Sequence, residues 1–179
     1  MTSNTLAEFF AAEGVASEAV HPATAGAPDL RVAVPAGWGP ITGLPDDLVY
    51  AVWAAAPVPG AQWADNALLS VGRLSAPVDA RGALTRALNE AATLPEWVEE
   101  SASYADYQRF PSARITGTYL FAPHRLWAAT RYAFVDVAGV QHLVQFTVTV
   151  LRGDEPVPDE VRDLVDRLEI GVPEVVPGA

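Results

Sequence analysis

Residues 140–151, Val140-Gln141-His142-Leu143-Val144-Gln145-Phe146-Thr147-Val148-Thr149-Val150-Leu151, change side-chain character at nearly every step. A period of two predicts a β-strand whose two faces differ. Val140, His142, Val144, Phe146, Val148 and Val150 form an apolar face expected in the core. Gln141, Leu143, Gln145, Thr147 and Thr149 form a more polar face, either solvated or lining a groove. Three further strands are predicted upstream, over residues 97–107, 113–121 and 125–137. The links are Phe110-Pro111-Ser112, Ala122-Pro123-His124 and Ala138-Gly139. Connections this short join antiparallel neighbours, so residues 97–151 read as four sequential antiparallel strands.

Outward from this meander the pattern changes period. Asp79 precedes a stripe of Leu84, Ala87, Leu88 and Ala91, which predicts a capped helix ending before Pro95. Thr5 and Glu8 fit a capping box ahead of Leu6, Phe9 and Phe10, with Gly14 as the helix stop. Val161, Leu164, Val165 and Leu168 give a terminal helix over residues 158–169, halted by Gly171. Between the first two helices, residues 30–34, 48–54 and 67–74 read as strands. The order helix, three strands, helix, four strands, helix predicts an α+β fold with a largely antiparallel sheet of about six to seven strands covered by helices. Residues 1–172 are expected to form one domain, and residues 173–179 a mobile Pro/Gly tail.

Composition excludes whole classes of chemistry. The 179 residues carry 22 acidic and 11 basic side chains, a net charge of −11, which argues against nucleic acid as a partner. There is no cysteine and every basic residue is arginine, so thiol nucleophiles, disulfides, Schiff bases and P-loop lysines are all excluded. No stretch is long and apolar enough to predict a transmembrane helix. No basic segment leads into an apolar one near Met1, so with Met1 as the start the expected location is cytoplasmic.

No nucleophile elbow, dinucleotide fingerprint or zinc-binding helix motif occurs. His21, His124 and His142 lie far apart in sequence, so neither metal nor cofactor is predicted. His21 and His124 read as solvated loop residues, and His142 as a core or sheet-edge histidine. Asp46-Asp47 suit a turn, and Glu96, Glu99 and Glu100 crowd a strand entrance as an acidic surface. Aromatic residues carry more signal. Trp38, in the turn Pro35-Ala36-Gly37-Trp38-Gly39-Pro40, and Trp63 lie in Gly/Pro-rich loops, while Trp53 and Trp127 fall in strands. An indole combines apolar area with one N–H donor, so these four are candidate ligand-binding residues; the alternative is that they plug the ends of the core.

Several motifs together resemble the actinobacterial LpqN/LpqT lipoprotein family. They are Thr5-Leu6-Ala7-Glu8-Phe9-Phe10 with Gly14-Val15, and Gly26-Ala27-Pro28 followed by Pro35-Ala36-Gly37-Trp38. Next come Asn66-Ala67-Leu68-Leu69-Ser70-Val71-Gly72-Arg73-Leu74 ahead of Asp79, and Phe110-Pro111-Ser112-Ala113 with Gly117-Thr118-Tyr119. The similarity runs from about Thr5 to Ile170. It implies a PsbP-like fold, a curved antiparallel sheet with helices packed on it, and a non-enzymatic protein. Envelope roles, with glycolipid and protein contacts, are implied for some members. Two departures from the family's pattern are expected: no leader segment is read near Met1, and the residues include no cysteine for lipid attachment.

Two functions follow as expectations. One is a non-catalytic binding or adaptor module for a protein partner or a small apolar ligand, monomeric or weakly dimeric. The other is a hydrolase- or isomerase-type enzyme whose site assembles from dispersed residues around His142 or His124. A histidine hydrogen-bonded to a carboxylate inside a pocket separates the second from the first.

Overall fold

The structure, a computed structural model, describes residues 5–44 and 49–172. The chain opens with α1 (Leu6–Ala12), whose capping box is complete: the Glu8 N–H donates to Thr5 Oγ1 and the Thr5 N–H to Glu8 Oε2, each at 3.2 Å. Five strands follow: β1 (Ser17–Ala19), β2 (Asp29–Val32), β3 (Trp38–Pro40), β4 (Ala51–Ala55) and β5 (Asn66–Leu74). Then come α2 (Ala80–Ala91), β6 (Val98–Ser103), β7 (Ser112–Phe121), β8 (His124–Val137) and β9 (Val140–Leu151). The chain closes with a short helix α3 (Asp159–Arg162), a 3-10 turn (Leu164–Arg167) and β10 (Leu168–Gly171). No helix among the described residues is long and apolar enough to cross a membrane.

The main sheet runs β3-β4-β5-β9-β8-β7-β6, and all its pairs are antiparallel. It has seven strand positions but eight strands, because β4 and β1 share one edge of β5 end to end, β4 on Asn66–Leu69 and β1 on Gly72–Leu74. The expected meander is present as β6 to β9. Ala138 and Gly139 close its last hairpin with φ of +52° and +81°, the paired left-handed residues of a tight two-residue turn.

Three sequence expectations are corrected. The terminal helix does not run through residues 158–169. It breaks after Arg162, and Leu168–Gly171 pairs with β2 in a separate two-stranded ribbon. Leu168 and Ile170 are buried and Glu169 between them is exposed, a strand alternation hidden inside the helical stripe. The predicted strand at 97–107 ends at Ser103, because Tyr107 and Phe110 bridge each other and Gln108 and Arg109 between them take left-handed φ. Trp38 starts a short edge strand paired with Ala55 instead of standing at a turn corner, and β1 is a further strand of three exposed residues, too short to show a period. The expectations for Asp46-Asp47 and for residues 173–179 lie outside the described residues.

Both sheet faces are buried, under different covers. On one, Val144, Phe146, Val148 and Val150 of β9 meet Val161, Leu164, Val165 and Leu168 of the C-terminal segment. On the other, Leu6 and Phe10 of α1 and Leu84, Ala87 and Leu88 of α2 meet Ile115, Tyr132, Phe134 and Leu143. Val140, predicted in the core, is 38% exposed because it opens β9 at the hairpin.

Candidate functional site

The α1/α2 cover is shorter than the sheet beneath it. Asp79 caps α2 by accepting the N–H groups of Arg81 and Gly82 at 3.1 Å, and the helix stops at Ala91. Beyond its end the sheet floor lies open as a groove of about 530 Å³. Cross-strand register sets the floor in rows: Tyr132 faces Gln145, Thr130 faces Thr147 and Ala128 faces Thr149. The hydroxyls of Thr130 and Thr147 lie 3.0 Å apart and hydrogen-bond each other. These β9 residues belong to the polar face of residues 140–151, and they line a groove.

Ile115 extends the floor in the row of Thr130 and Thr147, Leu94 and Trp97 add apolar lining after the end of α2, and Ala7, Glu90 and Ala91 of the two helices complete the lining. Trp97 is seated by the absence of a side chain at Gly117. A Cβ there would lie 2.6 Å from the indole ring and 2.5 Å from the Val98 carbonyl oxygen. The groove continues under α1 into a cavity of about 430 Å³ that shares Ala7, Glu90 and Gln145 with it.

Burial raises the Glu90 carboxyl above the usual carboxylate range, opposed by the Leu6 N–H, which donates to Glu90 Oε1 at 2.8 Å. The Tyr132 phenol is pushed well up, first by burial and then by the charge of Glu90. Burial also raises the Tyr119 phenol, opposed by hydrogen bonding with Thr149. Both tyrosines therefore stay protonated at neutral pH, as hydroxyl groups that can donate as well as accept. The groove thus offers apolar lining beside neutral hydrogen-bonding groups.

The four tryptophans singled out from sequence do not line it. Trp38 and Trp53 pack at the rim of the opposite core, Trp53 edge-on to Phe146 at 6.2 Å. Trp127, 1% exposed, lies in that core; its Nε1 donates to Glu100 at 2.9 Å, and the Arg162 guanidinium stands 5.4 Å over its ring. Trp63 meets Phe121 edge-on at 5.8 Å, at the end of β7.

The histidines are as dispersed as their sequence positions. His124 starts β8 at the hairpin, and His142 is buried with Nδ1 3.0 Å from the Val140 carbonyl oxygen. Burial lowers the His142 pKa, so the ring is neutral and Nδ1 is its donor. Neither histidine lines the groove, and the described residues hold no cluster of three or more metal-ligating side chains. Sequence reading missed Trp97, Glu90, Tyr119 and Tyr132. The available signal was a small-residue row, Gly117 opposite Ala128, which leaves space above a sheet.

A mostly antiparallel sheet, covered on both faces and opened by a groove beside the helices, defines a PsbP-like α+β domain. The family model described as probable lipoprotein LpqN matches residues 2–170, and the chain belongs to that family. The proline-rich 28 kDa antigen homolog of Mycobacterium leprae is 30% identical over 149 residues, which are 82% of this chain and 52% of that protein. The proline-rich 28 kDa antigen of Mycobacterium tuberculosis is also 30% identical, over 82% of this chain and 47% of its own length. The chain therefore spans about half the length of the curated relatives it matches. Among solved structures, LpqN of Mycobacterium tuberculosis, described as involved in cell envelope biogenesis, superposes with a TM-score of 0.78 at 17% identity, over 96% of this chain and 99% of its own. The Ran-binding protein Mog1p of Saccharomyces cerevisiae gives 0.52 at 9% identity, over 88% of this chain and 97% of its own. These likenesses establish the fold.

Proposed function

We propose that the protein is a non-catalytic binding module that holds a small amphipathic ligand in the groove between α1, α2 and the sheet. The observation that carries this reading is the groove's mixed chemistry: the apolar Leu94, Trp97 and Ile115 side chains beside the polar Thr130, Thr147 and Gln145 side chains of the floor. Apolar lining with a few convergent polar groups is the usual composition of small-molecule sites. Displacement of a neutral dye, Nile red, by 1-monododecanoylglycerol tests it. Thr147→Phe should remove binding by filling the groove while leaving the protein folded by circular dichroism. Binding that survives this substitution places the ligand elsewhere and rejects the reading.

A protein partner is a second reading, favoured by one feature. Phe121 is 57% exposed and Leu151 46% exposed at the same end of the sheet, with Trp63 edge-on to Phe121. Fractionation of cells expressing the full chain tests the cytoplasmic expectation against the membrane association suggested by the family's description as a lipoprotein.

A further inference from the structure

Glu90 is the one charged side chain that lines the groove among the described residues, and it is again the one charged side chain of the cavity continuing under α1. One of its oxygens is fixed by the Leu6 N–H at 2.8 Å, so the carboxyl is held in place at the junction of the two spaces. No arginine lines either space. The remaining polar groups there, including Thr93, Tyr119, Gln145 and Thr147, are neutral. An arriving anion would find a fixed carboxylate and no cation to compensate it, in a site partly shielded from water where charges act more strongly than in bulk. A neutral head with hydroxyl groups would instead donate to Glu90 and exchange hydrogen bonds with the floor.

We infer that Glu90 sets the charge sign of the groove's ligand: an amphiphile whose head donates hydrogen bonds and carries no negative charge is held, and its anionic counterpart is refused. This rests on the reading of the groove as a ligand site and adds the ligand's charge class to it.

A matched pair of probes tests the inference, since 1-monododecanoylglycerol and dodecanoate share one chain and differ in the head. At mildly alkaline pH the full chain should bind the monoacylglycerol at least about tenfold more tightly, a difference of about 1.4 kcal/mol. Dodecylamine, bearing an ammonium head, should bind at least as tightly as the monoacylglycerol, and this comparison needs no variant. In Glu90→Gln the carboxamide oxygen still accepts the Leu6 N–H, and the gap between the first two probes should close to within about threefold. Glu160→Gln removes the same formal charge from an exposed position on α3 and should leave the gap open. Equal binding of dodecanoate and monoacylglycerol by the unaltered chain overturns the inference while leaving the groove reading intact. So does a gap that closes as much in Glu160→Gln as in Glu90→Gln. Failure of all three probes to bind overturns the groove reading, and the inference with it.

Discussion

Gly117 shows how one residue shapes the site from outside it. Its missing side chain lets the Trp97 ring and the Val98 carbonyl close over β7. Gly117→Ala should cost about 1–3 kcal/mol in urea denaturation, as overpacking does, and should displace the indole from the groove wall. A loss under about 0.5 kcal/mol would mean that the ring yields freely. His142 makes a pH prediction. Burial depresses its native pKa below the unfolded value of about 6.5, with Arg73 adding to the shift and Asp136 opposing it. The native state therefore holds the neutral ring. Its contribution is complete above about pH 6.5 and is lost as pH falls through the native pKa, with a slope of at most about 1.4 kcal/mol per pH unit. Glu90 and Asp65 run the other way, because burial raises both carboxyls. The difference between the unaltered chain and His142→Gln therefore isolates the histidine; parallel stability curves between pH 4.5 and 6.5 would contradict this. For Trp63 and Trp38, loss of about 3–5 kcal/mol on change to Ala, the cost of a buried aromatic, returns each to the core. A smaller loss keeps the contact role open to a binding measurement.

At the scale of elements, the C-terminal segment is held less by helix formation than by its four buried side chains and by the buried guanidinium of Arg131, which pairs with the more exposed carboxylate of Asp166. Val161, Leu164, Val165 and Leu168 all face the sheet. Arg131, 7% exposed, pairs with Asp166, donates from Nε to the Val165 carbonyl at 3.1 Å, and lies 3.9 Å over the Tyr107 ring. Leu164→Ala should therefore cost about 2–4 kcal/mol even though the residue sits in a 3-10 turn. Denaturation showing under about 0.5 kcal/mol would mean the segment is not docked. The buried face was legible because i, i+3, i+4 spacing identifies it. The secondary structure was not, because Leu168 and Ile170 satisfy a strand period as well, and only pairing with Asp29–Val32 decides between them. The β6–β9 meander was legible for the opposite reason. From β7 onward its strands are long and its two turns, at Ala122-Pro123 and Ala138-Gly139, are short, and β9 alternates between its two faces; β6, exposed along its whole length and followed by the irregular stretch 104–111, is where the sequence boundary failed. The edge strands β1 and β3 have three residues each and no period to read.

Over the whole molecule, a sheet buried on both faces needs two covers, and the groove exists where the α1/α2 cover ends early. Half of this was present in the sequence: Gln145, Thr147 and Thr149 stood out as polar positions on a buried strand. The other half was not, because Glu90 of α2, Trp97 of the α2–β6 link and Tyr119 of β7 are far apart in sequence and meet only where the helix packs on the sheet. Residue type alone marked the tryptophans as binding candidates, whereas the structure packs Trp38 and Trp53 against the core and sets Trp63 edge-on to Phe121. The most direct test is amide and indole chemical-shift mapping of the labelled full chain during titration with 1-monododecanoylglycerol. The account predicts saturable shifts concentrated on Trp97, Thr130, Gln145 and Thr147, with Trp63 and Phe121 unmoved. Shifts confined to the Trp63–Phe121 end of the sheet, or no shifts at all, would contradict it.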